Sequence, residues 1–161
     1  MISRSKLCFM TILICALMVL VFAGCGNKSG GTIDEPEITA EYLIEDYTQQ
    51  LLTDGGHNFT GSIVMEKSGE AYLVHFTEKE VVPDAADPNG YYIADTNVAL
   101  ESTLGSDARI VLLDEGEAKV SKADDFIKAQ KESPDRLYLV YFMGTSTELI
   151  IEVDPKSVIT Q

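Results

Sequence analysis

Cysteine is missing from all but the first 25 residues. The three cysteines of the 161-residue chain are Cys8, Cys15 and Cys25. Everything after Cys25 therefore has no disulfide, no thiolate nucleophile and no cysteine metal site, and a fold there must be held by its core alone. Tryptophan is absent, and the only two histidines are His57 and His75. Positive charge is scarce: 12 Lys and Arg stand against 26 Asp and Glu, a net charge of −14. Residues 26–161 hold ten of the basic residues and all of the acids, so their net charge is −16. A surface of that sign repels phosphate backbones and anionic headgroups, which excludes nucleic acid as an expected partner and leaves divalent ions or basic peptides. Several catalytic frames are missing as well. Gly30-Gly31 and Gly55-Gly56 lack the Lys-Ser/Thr of a phosphate-cradling loop. Ser102-Thr103 and Thr145-Ser146-Thr147 lie in no Gly-x-Ser-x-Gly frame, and no Ser-x-x-Lys stands in a catalytic context.

What is present begins at the N-terminus. Arg4 and Lys6 are the only charges before Cys25. Residues 7–23 carry no ionisable side chain except the thiols of Cys8 and Cys15, and the run is slightly short of the roughly 20 apolar residues that span a bilayer comfortably. It ends in Phe22-Ala23-Gly24-Cys25, two small residues before a cysteine. This segment resembles a bacterial lipoprotein precursor. The resemblance implies that Cys25 receives a diacylglycerol thioether and becomes the mature N-terminus, with Ala23 and Gly24 as the small residues before the cut. Phe22 stands where that family usually has Leu. The other reading of the same flanks is an uncleaved signal anchor, and in both the rest of the chain is outside and tethered. The expected organisation is a signal peptide over 1–24, a lipidated cysteine and flexible acidic tether over 25–37, and one extracytoplasmic domain over 38–161. As random coil the tether reaches roughly 20 Å from the membrane.

In the domain, Thr39 is a helix N-cap. Leu43, Tyr47 and Leu51 recur at helical spacing with Ile44 and Leu52 beside them, and Asp54-Gly55-Gly56 stops the helix. The period then changes to that of strands. Residues 59–66 and 72–76 flank a glycine turn at 67–70 and form a hairpin. A loop follows at 84–90. Strands are expected at 91–94, 98–104 and 109–113, separated by a turn or bulge at 95–97 and a turn at 105–107, with 114–117 closing the last. Ser121 with Asp124 reads as a capping box for a short helix through Phe126 and Ile127 that Ser133-Pro134 ends. Residues 137–143 are apolar on both faces, as in a central strand, and pair with 149–153 across a turn at 144–147.

The order is helix, strands, helix, hairpin, with short connections and no repeated βαβ unit. It predicts an α+β fold: a mainly antiparallel, strongly bent sheet or small partly open β-barrel, with an N-terminal helix and a second short helix before the final hairpin. That order is compatible with an oligonucleotide/oligosaccharide-binding-type barrel, by analogy of element order alone.

Four sets of residues are candidates for chemistry. Asp84, Asp87 and Asn89 put three hard oxygen ligands on one loop, the donor type calcium takes, without the order or the distal Glu of an EF-hand. No other cofactor is expected. His57 falls in a loop, and His75 alternates with Val74 and Phe76 and so faces away from them. Glu66, Glu70, Glu78, Glu80, Glu101, Glu148 and Glu152 offer chance carboxylate pairs across strands, as an acid–base mechanism would need. Tyr91 and Tyr92 are adjacent in a strand and point to opposite faces, so one of them is available as a ligand or partner contact, with His75 as a further contact. The resulting expectation is a lipid-anchored, non-enzymatic binding or assembly module of the bacterial cell envelope. It is attached to the membrane through its lipid and takes an envelope protein or peptide as partner. A hydrolase with a carboxylate/His site and a calcium-responsive module are the alternatives.

Overall fold

A computed structural model describes residues 38–159. The leader, Cys25 and the tether lie outside the described residues. So do the last two residues of the expected domain.

The described chain starts with α1, one helical segment in three parts: Ala40–Tyr42, a π-helical stretch Leu43–Tyr47, and Thr48–Thr53. Thr39 is the N-cap, and its Oγ1 accepts the Tyr42 N–H at 3.2 Å. The π-helical stretch changes which residues face inward. Leu43, Thr48 and Leu51 are buried, whereas Ile44 and Leu52, expected beside the apolar stripe, are exposed. The Thr48 hydroxyl spends its proton on the carbonyls of Ile44 and Glu45, at 2.8 and 2.9 Å, inside that loosened turn. Gly55 then takes φ 92, and the Gly56 N–H reaches back to the Leu51 carbonyl at 2.8 Å. That is the glycine stop expected from the sequence.

Six strands follow, with a helix among them: β1 (His57–Ser68), β2 (Ala71–Pro83), β3 (Tyr91–Asp114), β4 (Glu117–Ser121), α2 (Ala123–Glu132), β5 (Leu137–Met143) and β6 (Ser146–Val153). A short α3 (Pro155–Ile159) ends the described chain. The strand order is β2-β1-β5-β6-β3-β4, and an additional β2–β3 pairing joins strands that this order places apart. Five strands therefore close a ring, β1-β2-β3-β6-β5, and β4 hangs on β3 outside it. The expected strongly bent sheet with a helix before the last hairpin is what the chain forms. Five of the six pairings are antiparallel, but β3 and β6 run parallel. The parallel pair arises because α2 carries the chain across the ring between β4 and β5, so the final hairpin returns with β6 alongside β3.

Where three short strands were expected, there is one strand of 24 residues. The interruption at 95–97 is a bulge and not a break. Pairing jumps from Thr77↔Ala99 to Lys79↔Asp95, and Asn97 takes φ 64 inside the jump. The turn expected at 105–107 is a second irregularity in the same strand, where the β6 register slips between Leu104 and Arg109. At 114–117 a two-residue turn, Glu115 at φ 53 and Gly116 at φ 87, sends the chain back as β4, a strand the sequence reading did not include. Helix α2 ends at Ser133 as expected, but it begins one residue later than the capping box required. Its N-cap is Lys122, without a side-chain cap, and the Ser121 hydroxyl donates to the Lys122 carbonyl. Ser121 is already in β4, so its side chain is committed to a strand end. His57 is likewise not in a loop but the first residue of β1, exposed and paired with Phe142.

The core has two layers. Inside the ring, Ile63, Met65, Val74, Phe76, Ile110, Tyr138, Val140, Phe142 and Ile150 pack together, with Phe126 of α2 inserted among them. Outside the ring, α1 lays Leu43 and Leu51 on Val111, Tyr141, Leu149 and Ile151. This explains why residues 137–143 are apolar on both faces: one side fills the barrel and the other lies under a helix. Among the described residues no helix is long and apolar enough to cross a membrane.

Candidate binding face

One face of the barrel lies away from α1, and among the described residues α3 meets it only alongside β2, where Val158 lies near Glu78–Val81. Strands β1, β2 and β3 are in register, so their outward residues form rows: Ser62–Thr77–Ala99, Val64–His75–Glu101 and Glu66–Leu73–Thr103. The inward partners in the same strands, Ile63, Met65, Val74 and Phe76, are buried. The outward Val64 is 50 % exposed and Leu73 is 37 % exposed. In a sheet with one solvated face such positions are ordinarily polar, so two apolar side chains beside one His–Glu pair mark this face as unusual.

The pair at its centre is open. His75 Nδ1 lies 3.4 Å from Glu101 Oε1, with the histidine half-buried and the glutamate largely in solvent. The contact is long, and among the described residues no third group hydrogen-bonds the imidazole, so it has the form of a surface contact and not of an oriented catalytic pair. Alternation carries the same face past the bulge to Lys79, Asp95, Ile93 and Tyr91. Lys79 and Asp95 are direct cross-strand partners and form an ion pair. Here the face deepens into an open groove of about 410 Å³ whose lining includes Ser62, Lys79, Ile93, Asp95 and Arg136. The Arg136 guanidinium is held by Glu152 at 2.7 Å, and the same carboxylate oxygen accepts the Leu113 N–H at 3.0 Å.

Of the contact residues expected from sequence, His75 and Tyr91 fall on this face by alternation. Tyr92 falls on the opposite side of the β2–β3 ribbon, paired with Val82. Tyr91 is half-buried and Tyr92 is 47 % exposed. Neither Ile93 nor Val64 was singled out in the sequence. Both sit in alternating strands where an apolar residue reads as core. The available signal was that Ile63, Val64 and Met65 are consecutive, and a strand with one buried face can bury only alternate residues.

The loop 84–90 is a compact double turn. Asp84 Oδ1 accepts the Ala86 N–H at 2.8 Å, and Asp87 Oδ1 accepts the Asn89 N–H at 2.7 Å. The Gly90 carbonyl accepts the Asp84 N–H at 2.9 Å. Each aspartate thus spends an oxygen on its own backbone, as Asx turns do. No group of three or more metal-capable side chains occurs among the described residues. Ser102 and Thr147, which have no catalytic frame in sequence, share a hydroxyl–hydroxyl bond of 2.6 Å near the point where β6 joins β3. Comparison with protein-family models, with curated proteins and with solved structures gave no match.

Proposed function

We propose that this chain is a lipid-anchored, extracytoplasmic binding or assembly module of the bacterial cell envelope, non-enzymatic in action. The observation that carries the reading is the asymmetry of the barrel's exterior. The outer side of β5 and β6 is covered by α1, whereas the outer side of β1, β2 and β3 leaves Val64, Leu73 and Ile93 in solvent. Apolar side chains in solvent on a sheet face that α1 does not cover suit a surface used by a partner. The anchor supplies the location. Two or more acyl chains on Cys25 make attachment stable, because each buried methylene contributes about 0.8 kcal/mol and one chain alone is marginal. The acidic balance keeps the domain soluble and away from anionic lipid.

Two measurements test the reading. Metabolic labelling with a fatty-acid analogue should mark the wild-type chain and not Cys25→Ser; undiminished labelling of the variant contradicts the anchor. Co-purification after mild crosslinking should return one dominant envelope protein, lost from Val64→Glu/Leu73→Glu at unchanged melting temperature. Recovery of the same mixture of abundant neighbours with both chains contradicts the binding face.

A further inference from the structure

Strand edges decide what a sheet protein can pair with, and this barrel treats its edges unequally. The free part of β1 is capped from α2, where Gln130 Oε1 accepts the Met65 N–H at 2.8 Å. The outer end of β2 stops in Pro83, and β4 is five residues long with Lys119 at its centre. Proline, lysine, shortness and a cover are the usual means by which proteins block edge pairing. Residues 91–102 of β3 have none of them. They pair with β2 on one side, and β6 begins to pair only at Thr103. Their sequence, Tyr-Tyr-Ile-Ala-Asp-Thr-Asn-Val-Ala-Leu-Glu-Ser, contains no Lys, Arg or Pro. Eight of these twelve residues are exposed, among them Tyr92, Ile93, Val98 and Leu100. The single interruption is the bulge at Asn97.

We infer that the free edge of β3, residues 91–102, accepts an extended peptide segment of a partner protein as an added strand, and that this segment alternates apolar and basic residues. The inference rests on the binding-module reading and names the partner's chemistry. Main-chain hydrogen bonds to the open edge supply the affinity, and side chains on alternate residues supply the choice. Charge decides between occupants. Asp95 and Glu101 lie on the edge strand, and the chain carries −14 overall. A second copy would bring the same sign to the edge and be repelled, whereas a basic strand gains from the field. Asp95 and Glu101 share one face of the strand and meet the basic positions of the incoming strand, whereas Tyr92 and Leu100, on the other face, meet its apolar positions as cross-strand neighbours.

The probe is a synthetic peptide of alternating lysine and valine, titrated against the full chain in detergent micelles. A glutamate–valine peptide and a copy of the first N-methylated throughout serve as controls. The lysine–valine peptide should bind, and hydrogen exchange should slow within 91–102. The N-methylated copy, which cannot donate main-chain hydrogen bonds, should bind roughly tenfold or more weakly, and so should the unmodified peptide with Ile93→Lys/Val98→Lys. Equal binding of the N-methylated copy, protection confined to other strands, or a peptide-free dimer through this edge would overturn the inference. If Ile93→Lys/Val98→Lys keeps the co-purified envelope partner while Val64→Glu/Leu73→Glu loses it, strand addition falls and the binding module stands.

Discussion

At the scale of single residues, three sites carry predictions. Tyr72 donates its hydroxyl to Asp124 Oδ1 at 3.0 Å, and Lys67 Nζ lies 3.5 Å from the same oxygen. The Tyr72 hydrogen bond first, and the Lys67 charge after it, hold the Asp124 carboxyl below the usual range. A depressed carboxyl stabilises the fold fully above the unfolded aspartate value of about 3.9, and that contribution is lost as pH falls through the folded value. Tyr72→Phe should move the Asp124 titration upward in a carboxyl-carbon NMR experiment, and an unmoved titration would refute the assignment. Tyr138 has its hydroxyl buried with no hydrogen-bond partner among the described residues. Burial first, and the Glu152 charge next, push the phenol up to about 12, with Arg136 acting the other way. A raised phenol stabilises fully below the unfolded value of about 10 and loses that contribution as pH rises through the folded one. Tyr138→Phe should raise neutral-pH stability by about 1 kcal/mol, since an orphan hydroxyl costs roughly 1–3 kcal/mol, and should flatten the alkaline loss in a denaturant titration. Gly61 is where β1 passes between β2 and β5, paired with Glu78 on one side and Tyr138 on the other. A Cβ there would overlap the Thr77 carbonyl oxygen and the Phe76 ring. Gly61→Ala should therefore lower stability by about 1–3 kcal/mol in the same titration. None of the three was legible in the sequence, because each depends on a neighbour distant along the chain. Thr39 was legible because a helix cap acts three residues away.

Among the elements, legibility followed the range of the deciding interaction. The glycine turn between β1 and β2, the stop after α1 and the double-faced apolar run of β5 were all readable, because local backbone preference or strand alternation sets them. Strand β3 was not. Asp95-Thr96-Asn97 and Gly105-Ser106-Asp107 have turn composition, but β2 holds the first group as a bulge within a continuing ladder, and β6 resumes pairing after the second. Tertiary pairing overrides turn propensity there. Strand β4 was missed because its five residues are short of a periodic signal, although Glu115-Gly116 followed by Ala118 and Val120 around Lys119 has the form of a two-residue hairpin. Ring closure between β3 and β6 gives a prediction at this scale. Thr147 is fully buried, and its hydroxyl meets Ser102. Ser102→Ala leaves that hydroxyl unpaired and should cost about 1–3 kcal/mol, whereas the joint replacement Ser102→Ala/Thr147→Val should recover most of it. A double variant as unstable as the single one would show that the closure does not depend on this bond.

The whole molecule is built as a contrast between covered and uncovered surface. Helix α2 plugs the barrel with Phe126, and α1 covers the outer side of β5 and β6. The third side, bearing Val64, Leu73, His75 and Glu101, is left to solvent and runs into the groove at Lys79 and Asp95. The fold class followed from element order, but the bare side did not, because alternation reports which residues share a face and not which face a helix will cover. The anchor reading comes from the first 25 residues alone, and with it the proposal is of an acidic domain held at the membrane and presenting one bare face. The most direct measurement places a photo-crosslinking amino acid at Val64, at Leu73 and, as a control, at Lys131 on the exposed side of α2, each in the full chain in living bacteria. The account predicts one discrete adduct from positions 64 and 73 and none from position 131. Equal adducts from all three positions, or none from the bare face, would contradict it.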